Sequence, residues 1–198
     1  MDYLCYRLSE LPPHAADLNL LPPVEQQQYA QRPYSSLVAR CLLRQELARR
    51  LHRTLSDIEL TTNAHGKPSL LHNELHFNLS HSGDLLCMAF HHAPVGVDIQ
   101  QLRPRTATQR LAERMMCRQQ LSRWLDGGAD VGEFFACWCA AEALVKHAGA
   151  TVWQAREFPF LYRHGRIEPL FTGAPVVKLF SPAAGYCGAV AVERRDSE

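Results

Sequence analysis

The stretch Gly96-Val97-Asp98-Ile99-Gln100 decides how we expect the chain to fold. Side chains alternate between the two faces of a strand, so Val97 and Ile99 share one face while Asp98 and Gln100 lie on the other. An acid inside a sheet is costly to bury unless a cation or hydrogen-bond donors meet it. Two interpretations of Asp98 follow: an acid that is solvated or paired with an arginine, or an acid that binds a functional cation.

Predicted helices and strands occur on both sides of this stretch. Strands are predicted at residues 75–79, 84–90 and 94–100, for which an antiparallel set is the natural arrangement, and again at 175–180 and 186–193. Helical spacing of apolar residues predicts helices at 34–51, 110–124 and 133–148. The Pro-Pro pairs at 12–13 and 22–23 predict an irregular N-terminal stretch. Helices and strands in both halves indicate an α+β fold.

Composition limits the kind of protein. The 198 residues are 46% hydrophobic, enough for a core in one domain or two small lobes. A formal net charge of +1 gives no overall attraction to nucleic acid or an anionic membrane, so we expect neither as a partner. No apolar run approaches the ~20 residues of a membrane span, and the start lacks signal-peptide character, so a cytoplasmic protein is expected. The seven cysteines, without a CxxC pair, are expected to be reduced and mostly packed.

A second acid lies in the predicted helix at 133–148. Glu142 and Lys146 are four residues apart and so share one side of that helix. A surface ion pair is the ordinary interpretation. The neighbours of Glu142 are too apolar for a solvated face, so we expect a partly buried acid that needs a partner; they are Ala140, Ala141, Ala143 and Leu144.

The run Phe77-Asn78-Leu79-Ser80-His81-Ser82-Gly83 is rich in hydroxyl, imidazole and backbone donors at the end of a predicted strand. Such a turn suits an anionic ligand. An ordinary hairpin turn would have a similar composition, so both interpretations stay open from the residues alone.

Four segments, in this order and spacing, resemble the Sfp-type 4′-phosphopantetheinyl transferases: Gly66-Lys67-Pro68, Phe77 to Gly83, Gly96 to Ile99, and Trp138 with Glu142-Ala143 and Lys146. The matched stretch runs from about residue 66 to 149, under half the chain. The resemblance implies a pseudo-twofold tandem of two similar lobes, which we place at residues 1–101 and 102–198. It further implies coenzyme A and Mg²⁺ in the cleft between the lobes, and a monomer.

The resemblance also implies a reaction and its central residues. A 4′-phosphopantetheine arm is transferred from coenzyme A to a serine of an acyl or peptidyl carrier protein, and adenosine 3′,5′-bisphosphate is released. Asp98, Glu142 and Lys146 are the implied catalytic residues: the two acids bind Mg²⁺, which prefers hard oxygen ligands, and the lysine contacts the phosphates. Glu142 is also a candidate to accept the serine proton.

Other residues are implied to bind coenzyme A. Lys67, Pro68, Ser80 and His81 match positions at the nucleotide end, with His81 near the 3′-phosphate. The alternative role of His81 is to cap a turn.

Three positions depart from the pattern of the family. Gln100 replaces a second acid and would be a neutral third metal ligand, Ala141 replaces a phosphate-facing lysine, and Ser35 stands near an expected arginine, which Arg32 or Arg40 would have to replace. A charge-assisted hydrogen bond contributes about 1.5–3 kcal/mol, so weaker coenzyme A binding is expected. The alternative function is therefore a catalytically weakened relative that binds carrier protein or coenzyme A.

A basic region precedes the second acid. Six arginines lie there, of which those at 110, 114 and 118 form one predicted helical stripe beside Leu111 and Met115; the six are Arg103, Arg105, Arg110, Arg114, Arg118 and Arg123. A docking surface for an acidic carrier protein and a solvated basic helix are both compatible with this pattern. The sequence does not indicate whether the carrier serves fatty-acid, polyketide or nonribosomal-peptide synthesis.

Overall fold

The computed structural model describes residues 2–64, 66–103 and 108–193. Short 3-10 turns join the elements. In chain order the helices and strands are β1 (Asp2–Arg7), α1 (Pro23–Tyr29), α2 (Tyr34–Leu51), β2 (Leu60–Thr62), β3 (Pro68–Leu70), β4 (His76–Ser82), β5 (Leu85–His91), β6 (Val95–Gln101), α3 (Thr108–Met115), α4 (Arg118–Asp126), α5 (Val131–Ala148), β7 (Phe160–Arg163), β8 (Arg166–Pro169), β9 (Val176–Phe180) and β10 (Tyr186–Val192).

The described residues form two three-stranded antiparallel sheets of the same design, β1-β5-β4 and β6-β10-β9. In each, the chain makes one strand, then an 18-residue helix, then two further strands, the last of which lies in the middle. Two-stranded hairpins, β2-β3 and β7-β8, accompany them. The predicted α+β class with two similar lobes is confirmed.

The N-terminal sheet is covered by α2, whose bounds agree with the predicted helix at 34–51. Val38 and Leu43 on the helix pack with Phe77 and Met88 of the sheet, and all four are at most 3% exposed. Burying a side chain of this kind stabilises the fold by about 1.5–3 kcal/mol. The apolar face of α2 therefore packs on the sheet and stabilises the first lobe.

The C-terminal sheet packs on α5, which begins two residues before the predicted start at 133. Asp130 caps the helix by accepting a 2.7 Å hydrogen bond from the Glu133 amide. A Cβ atom at Gly96 would lie 2.0 Å from the Ala143 carbonyl oxygen and 2.4 Å from the His147 nitrogen. The absence of a side chain at Gly96 thus lets β6 touch the backbone of α5.

The pairing of β6 corrects the predicted antiparallel set. β4 pairs antiparallel with β5, whereas β6 pairs with β10, far along the chain. Spacing within residues 75–100 carries no information on a partner strand that lies almost a hundred residues away. The lobe division at 101/102 stays a prediction; β6, the last strand before it, hydrogen-bonds with β10, which lies beyond it. We call the sheet β1-β5-β4 with α2 the first lobe, and the sheet β6-β10-β9 with α5 the second lobe.

Other corrections concern short or interrupted elements. The N-terminal stretch is not irregular throughout, because β1 pairs with β5, and Pro23 starts α1. The predicted helix at 110–124 is two helices, since Cys117 is extended with ψ 158° and separates α3 from α4. Sequence spacing did not predict the short strands β2, β3, β7 and β8.

The expectation of reduced cysteines is wrong for one pair. Cys5 of β1 lies opposite Cys87 of β5, and the two form a disulfide. Three of the remaining five are buried, as expected of packed thiols: Cys41, Cys137 and Cys139. No helix in the described part of the chain has the length and apolarity needed to cross a membrane.

Candidate functional site

The candidate site lies where the two main sheets meet along β4 and β6. Three alternate side chains of β4 accept hydrogen bonds from backbone amides of β6: Asn78 from Val97 at 2.8 Å, Ser80 from Ile99 at 3.2 Å, and Ser82 from Gln101 at 3.0 Å. We call Asn78, Ser80 and Ser82 the interlobe seam. Buried amides need acceptors, and here polar side chains supply them.

The interlobe seam corrects the interpretation of residues 77–83. The strand does not end at Leu79 but continues to Ser82, so the turn is only Gly83-Asp84. The Ser80 and Ser82 hydroxyl groups face β6, where they accept hydrogen bonds from backbone amides; anion binding by this segment stays a prediction. Period-2 alternation alone would have placed residues 78, 80 and 82 on one face, but not opposite a strand of the other lobe.

Asp98 is buried, with 2% of its surface exposed. Its Oδ1 accepts hydrogen bonds from Lys146 Nζ and Ser80 Oγ, both at 2.7 Å, and its Oδ2 accepts one from Gln100 Nε2 at 3.0 Å. The partner is thus a lysine from α5, and the predicted alternatives of a solvated or arginine-paired acid are both wrong.

Lys146 joins three elements through one ammonium group. Besides Asp98 of β6, its Nζ donates to the Val97 carbonyl at 3.2 Å and to Ser80 Oγ of β4 at 3.3 Å. The Lys146 side chain is 26% exposed and the Asp98 side chain 3%. Lys146 therefore holds α5, β6 and β4 together, with one side still open to solvent.

Glu142 lies one helical turn before Lys146 and is partly buried, as its apolar neighbours indicate. The alternative of a surface ion pair between Glu142 and Lys146 is wrong, because the lysine pairs with Asp98. Burial raises the pKa of Glu142, the nearby Asp98 charge raises it further, and Lys146 opposes both. Among the residues that the structure describes, no ion pair or hydrogen bond engages this carboxylate.

The carboxylate oxygens of Asp98 and Glu142 are of the chemical kind that magnesium prefers. Asp98 already lies against a cation, the Lys146 ammonium, and Glu142 carries an electrostatically unfavourable charge. No group of three or more His, Cys, Asp or Glu in the described segments is arranged to hold a metal. Mg²⁺ is commonly held by one or two carboxylates together with phosphate and water, so two acids suffice. Gln100 lies beside them through its bond to Asp98.

The four residues predicted to bind the nucleotide lie on two segments, and one residue of each segment, Lys67 and Ser80, hydrogen-bonds with Lys146. Ser80 belongs to the interlobe seam, His81 is exposed on β4, and Pro68 starts β3. Lys67 Nζ donates to the carbonyl oxygens of Val95 (3.2 Å) and Lys146. Burial, reinforced by the Lys146 charge, lowers the pKa of Lys67 to about 8. Contacts of these four with a nucleotide stay predictions.

Arg32 and Arg40, the suggested replacements for the missing arginine, lie in different surroundings. Arg40 makes two 2.7 Å hydrogen bonds to the carboxylate of Glu25, so its guanidinium is already engaged. Arg32 is exposed before α2. Ala141 is 1% exposed inside α5, where it packs against the core.

A groove of about 800 Å³ lies beside α3 and α5. Trp138 and Trp153 line it together with Leu111 and Met115. Three arginines and one acid also line it: Arg110, Arg114, Arg156 and Glu113. Trp153 is 77% exposed, with the Arg114 guanidinium 5.9 Å from its ring centroid. The prediction of one helical arginine stripe is wrong, because Arg118 belongs to α4. Arg105, another of the six arginines, lies outside the described residues.

Comparison with known proteins finds matches to family models in both halves of the chain. Residues 94–193 match the 4′-phosphopantetheinyl transferase superfamily, and residues 18–93 match the N-terminal region of 4′-phosphopantetheinyl transferases. The chain therefore belongs to the 4′-phosphopantetheinyl transferase superfamily.

Individual relatives are moderately similar. The chain is 29% identical to the 4′-phosphopantetheinyl transferase Sfp of Bacillus subtilis (strain 168) over 119 residues, which are 59% of this chain and 52% of Sfp. It is 27% identical to the transferase ffp of Bacillus subtilis over 82% of this chain and 75% of ffp. It is 34% identical to the transferase AcpT of Salmonella typhi over 52% of this chain and 57% of AcpT. The matched part of Sfp is thus about half of that protein.

Proposed function

We propose that the chain is a Mg²⁺-dependent 4′-phosphopantetheinyl transferase that acts on an acyl or peptidyl carrier protein. The observation that carries the proposal is the cluster of Asp98, Glu142 and Lys146 at the junction of the two lobes, in which Glu142 is partly buried and its pKa is raised. The names of the relatives support the reaction class. We also propose a cytoplasmic monomer with neither nucleic acid nor a membrane as partner.

The proposed reaction is one displacement at phosphorus. The serine oxygen of the carrier attacks the β-phosphorus of coenzyme A, and the bond to the departing adenosine 3′,5′-bisphosphate breaks as the new bond forms. Glu142 accepts the serine proton, the role of a general base positioned beside the attacking hydroxyl. Lys146 places positive charge beside the phosphoryl oxygens.

Asp98 and Glu142 would hold the magnesium ion, with the Gln100 amide beside them. When bound, the ion supplies Lewis-acid stabilisation of the phosphate charge. Ser80 and Gln100 orient the Asp98 carboxylate by donating to its two oxygens at 2.7 and 3.0 Å. The acid is thereby fixed before any ligand arrives.

The test is a transfer assay with coenzyme A, Mg²⁺ and several apo-carrier proteins, read by mass spectrometry. The expected result is the added mass of one phosphopantetheine arm on the carrier serine. A carrier with that serine changed to alanine, and a reaction with chelator, are the controls. Absence of transfer to every carrier would overturn the enzyme proposal.

The second candidate is a weakened relative that binds coenzyme A or carrier protein without transfer. Gln100 and Ala141 favour it, because each replaces a charged side chain of the family pattern with a neutral one. Calorimetric binding of coenzyme A together with a negative transfer assay would support this candidate. Transfer at rates typical of enzymes would exclude it.

The groove beside α3 is the proposed carrier-docking surface. Its apolar side chains and its three arginines, against a single acid, complement an acidic protein with an apolar helix face, the chemistry expected of the carrier. The groove includes Trp138 of α5, the helix that carries Glu142 and Lys146. A carrier seated there would lie close to the helix that bears the proposed catalytic residues.

Charge reversal tests this surface. Arg114→Glu is expected to raise the KM for the carrier about tenfold, the effect of ~1.4 kcal/mol, because it places an acid against an acidic partner. The KM for coenzyme A should not change. Arg123→Glu, on exposed α4 outside the groove, is the matched control. Equal carrier KM values for the two variants would argue against docking in the groove.

Gln100→Glu tests the neutral third ligand. Without metal, the change removes the donor to Asp98 and adds a third negative charge, so the thermal midpoint should fall by ~2–4 °C, or about 1 kcal/mol. With Mg²⁺, the added carboxylate should leave metal affinity equal or tighter. Thermal unfolding across a Mg²⁺ titration measures both the stability without metal and the metal affinity. Gln119→Glu, at an exposed residue of α4, is the control. Weaker Mg²⁺ binding by the variant would contradict the proposed ligand position.

A further inference from the structure

Lys67 connects the two lobes at the end of the helix that carries the site. It belongs to the turn between β2 and β3, in the N-terminal half of the chain. Its Nζ donates to the carbonyl of Lys146, in the last turn of α5, and to the carbonyl of Val95, the first residue of β6. The last carbonyls of a helix lack their usual partner four residues on, and a cation there is favourable. The Lys146 carbonyl also accepts a 3.2 Å hydrogen bond from the Gly149 amide, which ends the helix.

A second contact from the same turn supports this connection. Asn63 Nδ2 donates to the Gly149 carbonyl at 3.2 Å, directly after α5. Asn63 also fixes the turn itself. Its Oδ1 accepts a hydrogen bond from the Lys67 backbone amide at 2.9 Å, and its own backbone amide donates to the Lys67 carbonyl at 3.0 Å. The residues at both ends of this turn therefore donate hydrogen bonds to the C-terminal end of α5.

The hydrogen bonds of Lys67 connect it to the two backbone segments that carry Asp98 and Lys146. The backbone of Lys146 is held by Lys67, while its side chain holds Asp98 at 2.7 Å. Asp98 lies three residues after Val95, whose carbonyl is held by the same Lys67 ammonium. One side chain thus fixes both backbones whose side chains form the buried ion pair.

We propose that Lys67 is a positioning residue that sets the register of α5 against β6, and so the placement of Lys146 and Glu142 relative to Asp98. This inference rests on the proposed transferase function. It differs from the role that the family resemblance implies, in which Lys67 contacts the nucleotide, because the ammonium is directed at two backbone carbonyls of the protein.

The kinetic test separates positioning from nucleotide contact. Lys67→Met is expected to lower kcat about 10–100-fold, since loss of a supporting residue around a metal site typically has this effect, while the KM for coenzyme A changes less than about twofold. The Kd for adenosine 3′,5′-bisphosphate should also stay the same. Lys67→Arg should regain most of kcat, because it restores a cationic donor. Lys178→Met, an exposed lysine on β9, is the matched control.

The opposite pattern would overturn the proposal. Weaker bisphosphate binding and a raised KM with unchanged kcat would show that Lys67 touches the nucleotide. Unchanged kinetics throughout would show that it does neither. If Lys67→Met does not fold, Lys67→Gln, which keeps a donor but not the charge, takes its place, with an intermediate kcat expected and a wild-type kcat overturning the idea.

Hydrogen exchange keeps this test independent of the reaction. In Lys67→Met, the amides of residues 146–150 and 97–99 are expected to exchange at least tenfold faster than in the wild type, while α2 amides do not change. Unchanged exchange at 146–150 would overturn the positioning role. A wild-type protein that fails to transfer the arm but shows this exchange pattern would instead refute only the proposed function.

Discussion

Glu142→Ala abolishes transfer, with kcat/KM expected to fall by about 10³-fold or more. The variant loses a carboxylate proposed both to bind Mg²⁺ and to accept the serine proton, and general-base catalysis alone contributes about 10²–10⁴-fold. Glu142→Gln should lose nearly as much, because it keeps the shape and removes the charge. The measurement is transfer to an apo-carrier under steady-state conditions. If Glu142→Ala retained full activity, the proposed site would be wrong.

The same variants should remain folded, and Glu142→Gln should be more stable than the wild type at neutral pH. Burial raises the pKa of Glu142 above its usual value, so its contribution to stability is present at low pH and is lost as pH rises through the raised pKa. Removing the charge removes that cost, and a gain of about 1 kcal/mol would raise the thermal midpoint by ~2–4 °C.

A pH series and a ligand series check the sign of this effect. The difference in midpoint between Glu142→Gln and wild type should shrink as the pH falls, whereas Glu59→Gln, an exposed control, should show little difference at any pH. Mg²⁺ with coenzyme A should stabilise the wild type and leave Glu142→Gln nearly unaffected. A lower midpoint for Glu142→Gln at neutral pH would mean that the carboxylate has a stabilising partner.

The sequence allowed prediction of the acids but not of their partner. Alternation placed Asp98 apart from its apolar neighbours, and helical spacing placed Glu142 beside Lys146. Nothing in either local pattern indicates that Lys146 binds Asp98, 48 residues away. That contact depends on the close approach of β6 to α5, which Gly96 permits.

Long-range pairing explains the other misses. The disulfide between Cys5 and Cys87 requires β1 to lie beside β5, 82 residues apart in sequence. The hydroxyl groups of the interlobe seam accept hydrogen bonds from β6, a strand of the second lobe, and the composition of residues 77–83 gave no sign of that partner. Helix α2, whose core face is set by local periodicity, was predicted with its observed bounds.

Asp98→Ala should both inactivate the protein and destabilise it by about 3–5 kcal/mol, the usual cost of removing one partner of a buried ion pair. Asp98 is 2% exposed in the wild type. Its removal leaves the Lys146 ammonium without its carboxylate and the Ser80 hydroxyl without its acceptor. Lys146→Met should cost a similar amount, because it leaves the buried Asp98 charge unpaired. Urea unfolding midpoints measure both.

The double variant Asp98→Leu with Lys146→Met separates stability from chemistry. Replacing both charges of a buried pair by apolar groups is often neutral or stabilising, so most of the lost stability should return. The losses measured for Asp98→Leu alone and Lys146→Met alone should therefore add up to more than the loss in the double variant. Transfer should stay abolished, because the proposed metal ligand and phosphate contact are both gone. A double variant that regained activity with its stability would show that the ion pair serves only the fold, whereas a stable, inactive protein assigns the chemistry to the two charges themselves.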